Sequence, residues 1–333
     1  MNPGFLARLR PDPYVPALLA TAAVAAFLPA RGAWAIGLDR AVMVAIGLLF
    51  FLYGARLPRG ATWDGVRHWR LHGAILLSTF ALFPLLGLAA GVLVPAVLPE
   101  PLHLGLLFLC ALPSTVQSSI TFTSIAGGNV AAAICAASFS NLLGVVLTPV
   151  LAGLLVARST GGFPVHALPE IVGLLLVPFL LGQAARRWIG EPVRRNGKLL
   201  GRLDRGVILG VVYTAFSEGT VNGIWRLLTP VRLVLLAVVC LVLLGIVLAA
   251  TGLGARLLGF GRADRIALVF CGSKKSLASG LPMASVLFAG PSAGLLVLPL
   301  MLYHQLQLIA CAWLARRFAA DETAEPQAAP AHP

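Results

Sequence analysis

The feature that most constrains this chain is a series of long apolar stretches, separated by short segments that carry charge, proline or glycine. About 20 apolar residues form a helix that crosses the hydrocarbon core of a bilayer. Lipid cannot hydrogen-bond a peptide backbone, so stretches of this length must be helical. We therefore predict an all-α polytopic membrane protein with ten transmembrane helices. The ten stretches lie at 13–30, 38–55, 73–95, 102–125, 129–157, 166–185, 203–221, 232–254, 265–288 and 292–315.

Composition supports the same class and excludes others. The chain is 59% hydrophobic and only 11% charged, whereas a soluble domain of this size needs a larger charged surface. The net charge of +13 lies in short connections and not in a basic domain, which argues against nucleic-acid binding. All five cysteines lie inside apolar stretches without metal-ligand spacing. We predict no metal site, no cofactor and no disulfide framework.

Lysine and arginine concentrate in every second connection between the apolar stretches. Arg56, Arg59, Arg67 and Arg70 follow the second stretch, whereas the connection after the third stretch carries no basic residue. Cytoplasmic connections are the ones enriched in lysine and arginine. We therefore predict a multi-pass protein of the cell inner membrane with both termini in the cytoplasm.

The two halves of the chain show traces of duplication. A shift of 161 residues places Cys110 on Cys271 and Ser118 on Ser279. Because each half has an odd number of helices, a duplicated half enters the membrane from the opposite side. This pattern predicts two inverted five-helix repeats. Their expected boundaries are 1–160 and 161–320, followed by a disordered tail at 321–333.

The fourth and ninth stretches are both interrupted near their middle. Pro113 interrupts the fourth and Gly272 the ninth, and polar residues follow each of them. A proline inside a helix frees carbonyl groups, which lipid cannot satisfy. Paired interruptions at matching positions are the best sequence indication of a transport site. The simpler alternative is a proline kink whose hydroxyl groups bond back to the preceding turn.

Lys274 and Lys275 favour a transport site over a simple proline kink. They lie near the middle of the ninth stretch, where an isolated cation costs at least about 3 kcal/mol. If both lysines lay in a loop instead, the ninth span would end at Gly272. The next apolar stretch, Leu277–Ala289, would then be too short to cross the membrane.

Three segments resemble the bile acid:sodium symporter (BASS) superfamily, and most closely its SBF-like, YfeH-type branch. They are 113–149, which begins Pro-Ser-Thr-Val-Gln-Ser-Ser, 270–282, which contains the branch-specific Gly-Ser-Lys-Lys-Ser, and 299–307. The resemblance covers nearly the whole chain and implies the bile acid symporter-like fold. In that fold spans three to five and eight to ten form a core domain, and spans one, two, six and seven form a panel domain. The fourth and ninth spans cross at their breaks, and the core moves against the panel in alternating access.

The chain departs from the sodium-coupled members of the superfamily. Those members have an acidic residue and a glutamine at the ninth-span break, where this chain has Phe270 or Cys271 and then Lys274. They also have hydroxyl residues along span five, where this chain has Ala133 and Ala137. Sodium requires oxygen ligands, and lysines repel it. These departures argue against sodium coupling.

The lysines lead to a hypothesis about the substrate. An ammonium at the negative end of the half-helix ending near Gly272 could replace a bound cation. The next half-helix, starting near Ser276, offers free backbone N–H groups to an anion. We therefore predict transport of a small organic anion that meets Lys274 or Lys275. Because a lysine removed from water can release its proton, a proton is an alternative coupling ion to sodium. The predicted substrate-binding residues are Ser114, Thr115, Gln117, Ser118, Ser119, Asn141, Ser273, Lys274, Lys275, Ser276, His304 and Gln305.

His304 and Gln305 belong to that set because the family fold places the last core helix beside the breaks. Asn141 belongs to it as a polar residue that can face the cavity. Gln307 can also face the cavity, but hydrogen bonding between helices is the more ordinary role for it.

Two other functions stay open, and a third is excluded. A cation/proton exchanger would need an embedded carboxylate, but Glu170 and Glu218 lie towards span ends. A non-transporting regulator of ion homeostasis, a role the resemblance also allows, would leave the paired breaks unexplained. The chain contains no H-E-x-x-H motif, no paired intramembrane aspartates and no nucleophile elbow, so we predict that it is not an enzyme.

Overall fold

The computed structural model describes residues 14–56, 68–160, 168–223, 225, 228–288 and 293–324. All regular secondary structure within these ranges is helical, which confirms the predicted all-α class. The helices are α1 (Tyr14–Phe27), α2 (Gly32–Arg56), α3 (Trp69–Leu93), α4 (Glu100–Ala111), α5 (Gln117–Ile125), α6 (Val130–Thr160), α7 (Leu168–Arg195), α8 (Gly197–Val221), α9 (Pro230–Leu257), α10 (Arg262–Gly272), α11 (Leu277–Leu287) and α12 (Ala293–Ala324).

Five of these helices, α2, α3, α6, α9 and α12, are long and apolar enough to cross a membrane. Helices α4, α5, α10 and α11 are too short to do so singly, with 12, 9, 11 and 11 residues. The predicted disordered tail begins too early, because α12 continues to Ala324. The rest of that predicted tail lies outside the described residues.

Helix α3 contains a π-helical turn at Ser78–Leu82. In this turn the N–H group of Phe83 donates to the carbonyl of Ser78, five residues back. The same register would pair the carbonyl of Thr79 with residue 84, but that residue is Pro84, which has no N–H group. The turn therefore leaves the Thr79 carbonyl free of helical partners in the interior of the protein.

Helices α2 and α7 pack with their backbones in close approach. A Cβ atom on Gly54 would clash with the carbonyl of Phe179, and one on Gly182 would clash with the carbonyl of Phe51. Small residues at such crossings let two membrane helices approach closely. The glycine pair therefore fixes how α2 and α7 lie against each other.

The other helices make the following contacts. Helix α1 packs on α8, and α4 contacts α3, α6 and α12. Helix α10 contacts α3, α5, α6 and α9. The outer face of α9 is apolar and exposed, with Val234, Val238, Leu241 and Val242 among its side chains. An exposed apolar face of this length is what a lipid-facing helix requires.

Candidate functional site

The two predicted breaks are present, and their backbones meet. Helix α4 ends at Ala111 and α5 begins at Gln117, while α10 ends at Gly272 and α11 begins at Leu277. The N–H group of Ser276 donates to the carbonyl of Pro113 across a distance of 2.9 Å. The sequence interruptions therefore come together in space at one place.

Hydroxyl groups cap the last carbonyls of α10. Ser114 Oγ donates to the carbonyl of Cys271 at 2.6 Å, and Ser78 Oγ donates to that of Gly272 at 2.8 Å. The carbonyl of Phe270 accepts a longer bond, of 3.3 Å, from Ser119 Oγ. A helix end leaves carbonyls without helical partners, and three side chains from α3, the first break and α5 satisfy them here.

This arrangement corrects the expectation that an ammonium lies at the end of α10. The carbonyls there already bond to hydroxyl groups, and the ammonium of Lys275 lies at the end of α4 instead. Lys275 Nζ donates to the carbonyls of Cys110 at 2.8 Å and Leu112 at 2.7 Å. It donates a third bond to the carbonyl of Thr79 at 2.8 Å, and it lies 4.0 Å from the centroid of the Phe83 ring.

The backbone of Lys275 is held by a fully buried glutamine from α12. The N–H group of Lys275 donates to Gln307 Oε1, and Gln307 Nε2 donates to the carbonyl of Lys275, both at 2.9 Å. Gln307 Nε2 also lies 2.9 Å from Nδ1 of His304, one turn earlier on the same face. The amide therefore forms two hydrogen bonds with the backbone of Lys275, a partner that the sequence does not predict for it.

Lys274 has different surroundings. Its side chain is 0% exposed, and its Nζ lies 3.9 Å from the centroid of the Phe122 ring on α5. In the part of the chain that the structure describes, Lys274 Nζ has no hydrogen-bond partner. A cation over an aromatic ring gains about 2 kcal/mol or more when desolvated, which does not replace hydrogen bonds to all of its N–H groups. Lys274 Nζ is therefore a buried donor that no group in the described ranges satisfies.

Asn141 joins the two breaks. Its Nδ2 donates to the carbonyl of Ser114 at 2.7 Å, and its Oδ1 accepts a bond from Ser279 Oγ at 3.0 Å. Ser279 Oγ in turn lies 2.7 Å from Ser276 Oγ. The amide therefore links α6 to the first break and to the start of α11.

The expected free N–H groups at the start of α11 are partly occupied. The N–H of Ser276 bonds to Pro113, and the N–H of Ser279 donates to the Ser276 hydroxyl, which caps the helix. These two groups are not free for an anion in this conformation. The N–H of Ser276 has its partner in the opposing break, whereas anion binding at the other N–H groups of this helix start stays a prediction.

The other predicted residues lie around this centre at different depths. Thr115 Oγ1 lies 2.8 Å from Ser118 Oγ, and Thr115 is buried whereas Gln117 is exposed. Ser273 is fully buried, and its hydroxyl donates back to the carbonyl of Val269 at 2.6 Å. His304 and Gln305 are partly buried on α12. The polar residues of both breaks thus form one cluster, while Gln117 points away from its buried part.

Several residues of the cluster were not predicted. Tyr303 Oη donates to the carbonyl of Ser273 at 2.9 Å, and Thr148 Oγ1 donates to that of Ala111 at 3.0 Å. Ser140 Oγ accepts a bond from the N–H of Ser114 at 3.0 Å. Each of these side chains lies on a long helix without any local sequence signal. The signal for these side chains lies in their partners, which are the carbonyl and N–H groups that the breaks leave without helical hydrogen bonds.

An apolar cavity lies away from this cluster. It has a volume of about 390 Å³ and lies between α2 and α7, lined by residues that include Ile46, Val177 and Pro178. Both lysines are 0% exposed, so the conformation encloses them within the helices.

Comparison with known proteins finds similar chains that match over most of their length. The chain is 53% identical to the uncharacterized protein PA2026 of Pseudomonas aeruginosa, over 94% of each chain. It is 48% identical to YfeH of Escherichia coli (strain K12), over 92% of each chain. It is 31% identical to sodium/bile acid cotransporter 7 of Mus musculus, over 80% of this chain and 79% of that protein.

The relatives whose names state a function are transporters and not enzymes, which confirms the prediction that the chain is not an enzyme. The family model described as the SBF-like CPA transporter family matches residues 12–320. The predicted resemblance is confirmed, and the chain belongs to the SBF-like CPA transporter family.

Proposed function

We propose that the chain is a secondary active transporter that carries a small organic anion across the inner membrane by alternating access. The observation that carries this proposal is the buried ammonium of Lys274, which lies beside the two breaks. An anion that entered the cluster would supply the hydrogen-bond acceptor that this ammonium needs. Sodium/bile acid cotransporter 7 is named for a substrate that is an organic anion, which agrees with this class.

The order of the helices supports a ten-span topology with inverted repeats. Helices α1–α6 and α7–α12 follow the same order, in which two short helices separated by a break stand between two long ones. Taking each broken pair as one span gives five spans in residues 1–160 and five in 161–320. The distribution of arginine supports cytoplasmic termini.

The helix contacts support a division into two moving bodies. Helices α1, α2, α7 and α8 form the panel domain of the proposal, and the close crossing of α2 and α7 holds it together. Helices α3–α6 and α9–α12 form the core domain, which contains both breaks and both lysines. Access to Lys274 then requires the core to shift against the panel at the contacts of α8 with α11 and α12.

The test is uptake of organic anions by the purified protein in proteoliposomes, with a matched pair of lysine variants. Lys274→Gln removes the charge at the breaks, whereas Lys198→Gln removes an exposed charge on α8. We expect Lys274→Gln to lower the uptake rate at subsaturating substrate by at least about 10-fold, or about 1.4 kcal/mol. Lys198→Gln keeps the wild-type rate. Equal uptake by both variants, for every anion that the wild type transports, would contradict the role of Lys274.

A cation/proton exchanger is the second candidate function, because the family is described only as a transporter family. The hydrogen bonds described above at the two breaks come from hydroxyl groups, amides and one ammonium. Such an exchanger ordinarily needs a carboxylate at this place. Acidification driven by an imposed sodium or potassium gradient, without any organic anion present, would favour the exchanger over the anion transporter.

A further inference from the structure

The ammonium of Lys275 lies in a site that resembles a binding site for a free cation. Its three ligands are the carbonyl oxygens of Thr79, Cys110 and Leu112, at 2.7 to 2.8 Å from Nζ. The ring of Phe83 covers a further side, with its centroid 4.0 Å from Nζ. We call these four groups the cation site. The site is fully enclosed, since Lys275 is 0% exposed.

The geometry of the site fits a positive charge. A protonated lysine amine has three N–H donors, whereas a neutral one has only two. The three carbonyl oxygens at hydrogen-bond distance match the three donors of the ammonium form. The face of an aromatic ring and the C-terminal end of a helix also attract a positive charge.

The carbonyl groups of the site are free because the sequence removes their helical partners. Those of Cys110 and Leu112 lie at the end of α4, which stops before Pro113. That of Thr79 is freed by the π-helical turn and by Pro84, as described above. The site is thus built by irregular backbone in α3 and α4. Without a cation its buried oxygens would have no partner, which is costly at this depth.

We propose that the side chain of Lys275 is a permanently attached cation that fills a monovalent cation site of the transporter. A free ion can leave such a site during transport, whereas this ammonium is held by its stem and by the pairing of its backbone with Gln307. The site therefore needs no sodium from solution. The consequence for transport rests on the proposed function, whereas the cation site itself does not.

The test removes the attached cation and supplies a free one. Lys275→Ala deletes a fragment equivalent to n-propylammonium, so this ion fits the space that the variant leaves. We expect Lys275→Ala to lower the Tm of the purified protein by roughly 10 °C in choline chloride. Replacing choline by n-propylammonium at the same concentration recovers most of that loss. Neutral 1-propanol recovers none of it.

Two variants serve as controls. Lys274→Ala removes an equally buried ammonium that has no carbonyl ligands among the described residues, and n-propylammonium gives it no comparable recovery. Lys275→Met keeps the stem and fills the space, so it has a lowered Tm that n-propylammonium does not raise. A wild-type Tm for Lys275→Met, or equal recovery of Lys274→Ala and Lys275→Ala, overturns the proposal.

Two further measurements apply if Lys275→Ala does not fold. Lys275→Gln keeps two donors for the three carbonyls, so we expect a Tm between those of Lys275→Met and the wild type. We expect the wild type itself to have the same Tm in sodium chloride and in choline chloride. A clear rise of the wild-type Tm with sodium, relative to choline, overturns the proposal.

Transport provides an independent readout. We expect uptake by the wild type to be unchanged when choline replaces sodium on both sides of the membrane. A strict requirement for sodium overturns the proposal. If no organic anion is transported at all, the proposed function fails while the Tm measurements still decide on the cation site.

Discussion

Lys274 and Lys275 are adjacent and equally buried, but their ammonium groups have unlike surroundings. Residues 273–276 are not helical, and the two side chains reach different elements. Lys275 reaches the end of α4, and Lys274 reaches a ring on α5. The ligands of Lys275 include Cys110 and Thr79, which lie 165 and 196 positions away. A single sequence shows that both lysines are unusual but not which of them already has its partners.

Gln307 offers a test at the scale of single residues. Gln307→Leu leaves the N–H and the carbonyl of Lys275 without their partner inside the protein. Each unsatisfied buried group costs about 1–3 kcal/mol, so we expect the free energy of unfolding to fall by about 2–6 kcal/mol. Gln305→Leu is the matched control, because Gln305 is only partly buried on the same helix. Reversible unfolding of both variants in mixed micelles measures the difference.

The same pair shows what the sequence could have revealed. Gln305 was predicted to belong to the site, whereas Gln307 was not, although it lies three residues after His304 and so on the same helix face. The spacing of 304 and 307 is the signal that was available. Equal losses of stability for Gln307→Leu and Gln305→Leu would show that the pairing with Lys275 contributes nothing.

The positions of the helix breaks are easier to predict from the sequence than the groups that hydrogen-bond to the freed carbonyls. Pro113 and Gly272 indicate where the fourth and ninth spans break, and α4 and α10 end within two residues of them. What the sequence does not contain is the partner of each freed carbonyl. The hydroxyl of Ser114 bonds to Cys271, 157 positions away, and hydroxyl residues are too common in this chain to be matched without coordinates.

Ser114 tests how the end of α10 is held. Ser114→Ala removes the hydrogen bond to the buried carbonyl of Cys271 and leaves that group unsatisfied. We expect the protein to lose about 1–3 kcal/mol of stability. Ser124→Ala removes an exposed hydroxyl on α5, and we expect a change within about 0.5 kcal/mol. The same unfolding assay compares the two, and an equal response would mean that the hydroxyl does not cap α10.

At the scale of the whole molecule, the all-α class follows from apolar length alone, whereas the packing of the halves does not. Five helices meet the length and apolarity of a membrane span, and four others are too short because the breaks divide them. The halves meet where α2 and α7 exchange a reciprocal contact, with Gly54 against Phe179 and Gly182 against Phe51. The proposed repeats pair α1 with α7 and α2 with α8, so their two-fold relation maps the contact of α2 with α7 onto that of α8 with α1, which is also present. Glycine is too frequent in membrane helices for this pair to stand out in the sequence.

Two glycines of α7 give the last prediction, because they differ only in what surrounds them. A Cβ atom at Gly182 would clash with backbone of α2, whereas one at Gly173 meets nothing within 4 Å. Gly182→Ala must therefore push the helices apart, and we expect a loss of about 2–4 kcal/mol, in the range of overpacked cores and broken contacts. Gly173→Ala gains up to about 1 kcal/mol from helix propensity. Thermal unfolding of the two purified variants measures the loss of stability in one and the gain in the other. A Gly182→Ala protein as stable as Gly173→Ala would mean that the packing of α2 and α7 does not depend on this contact.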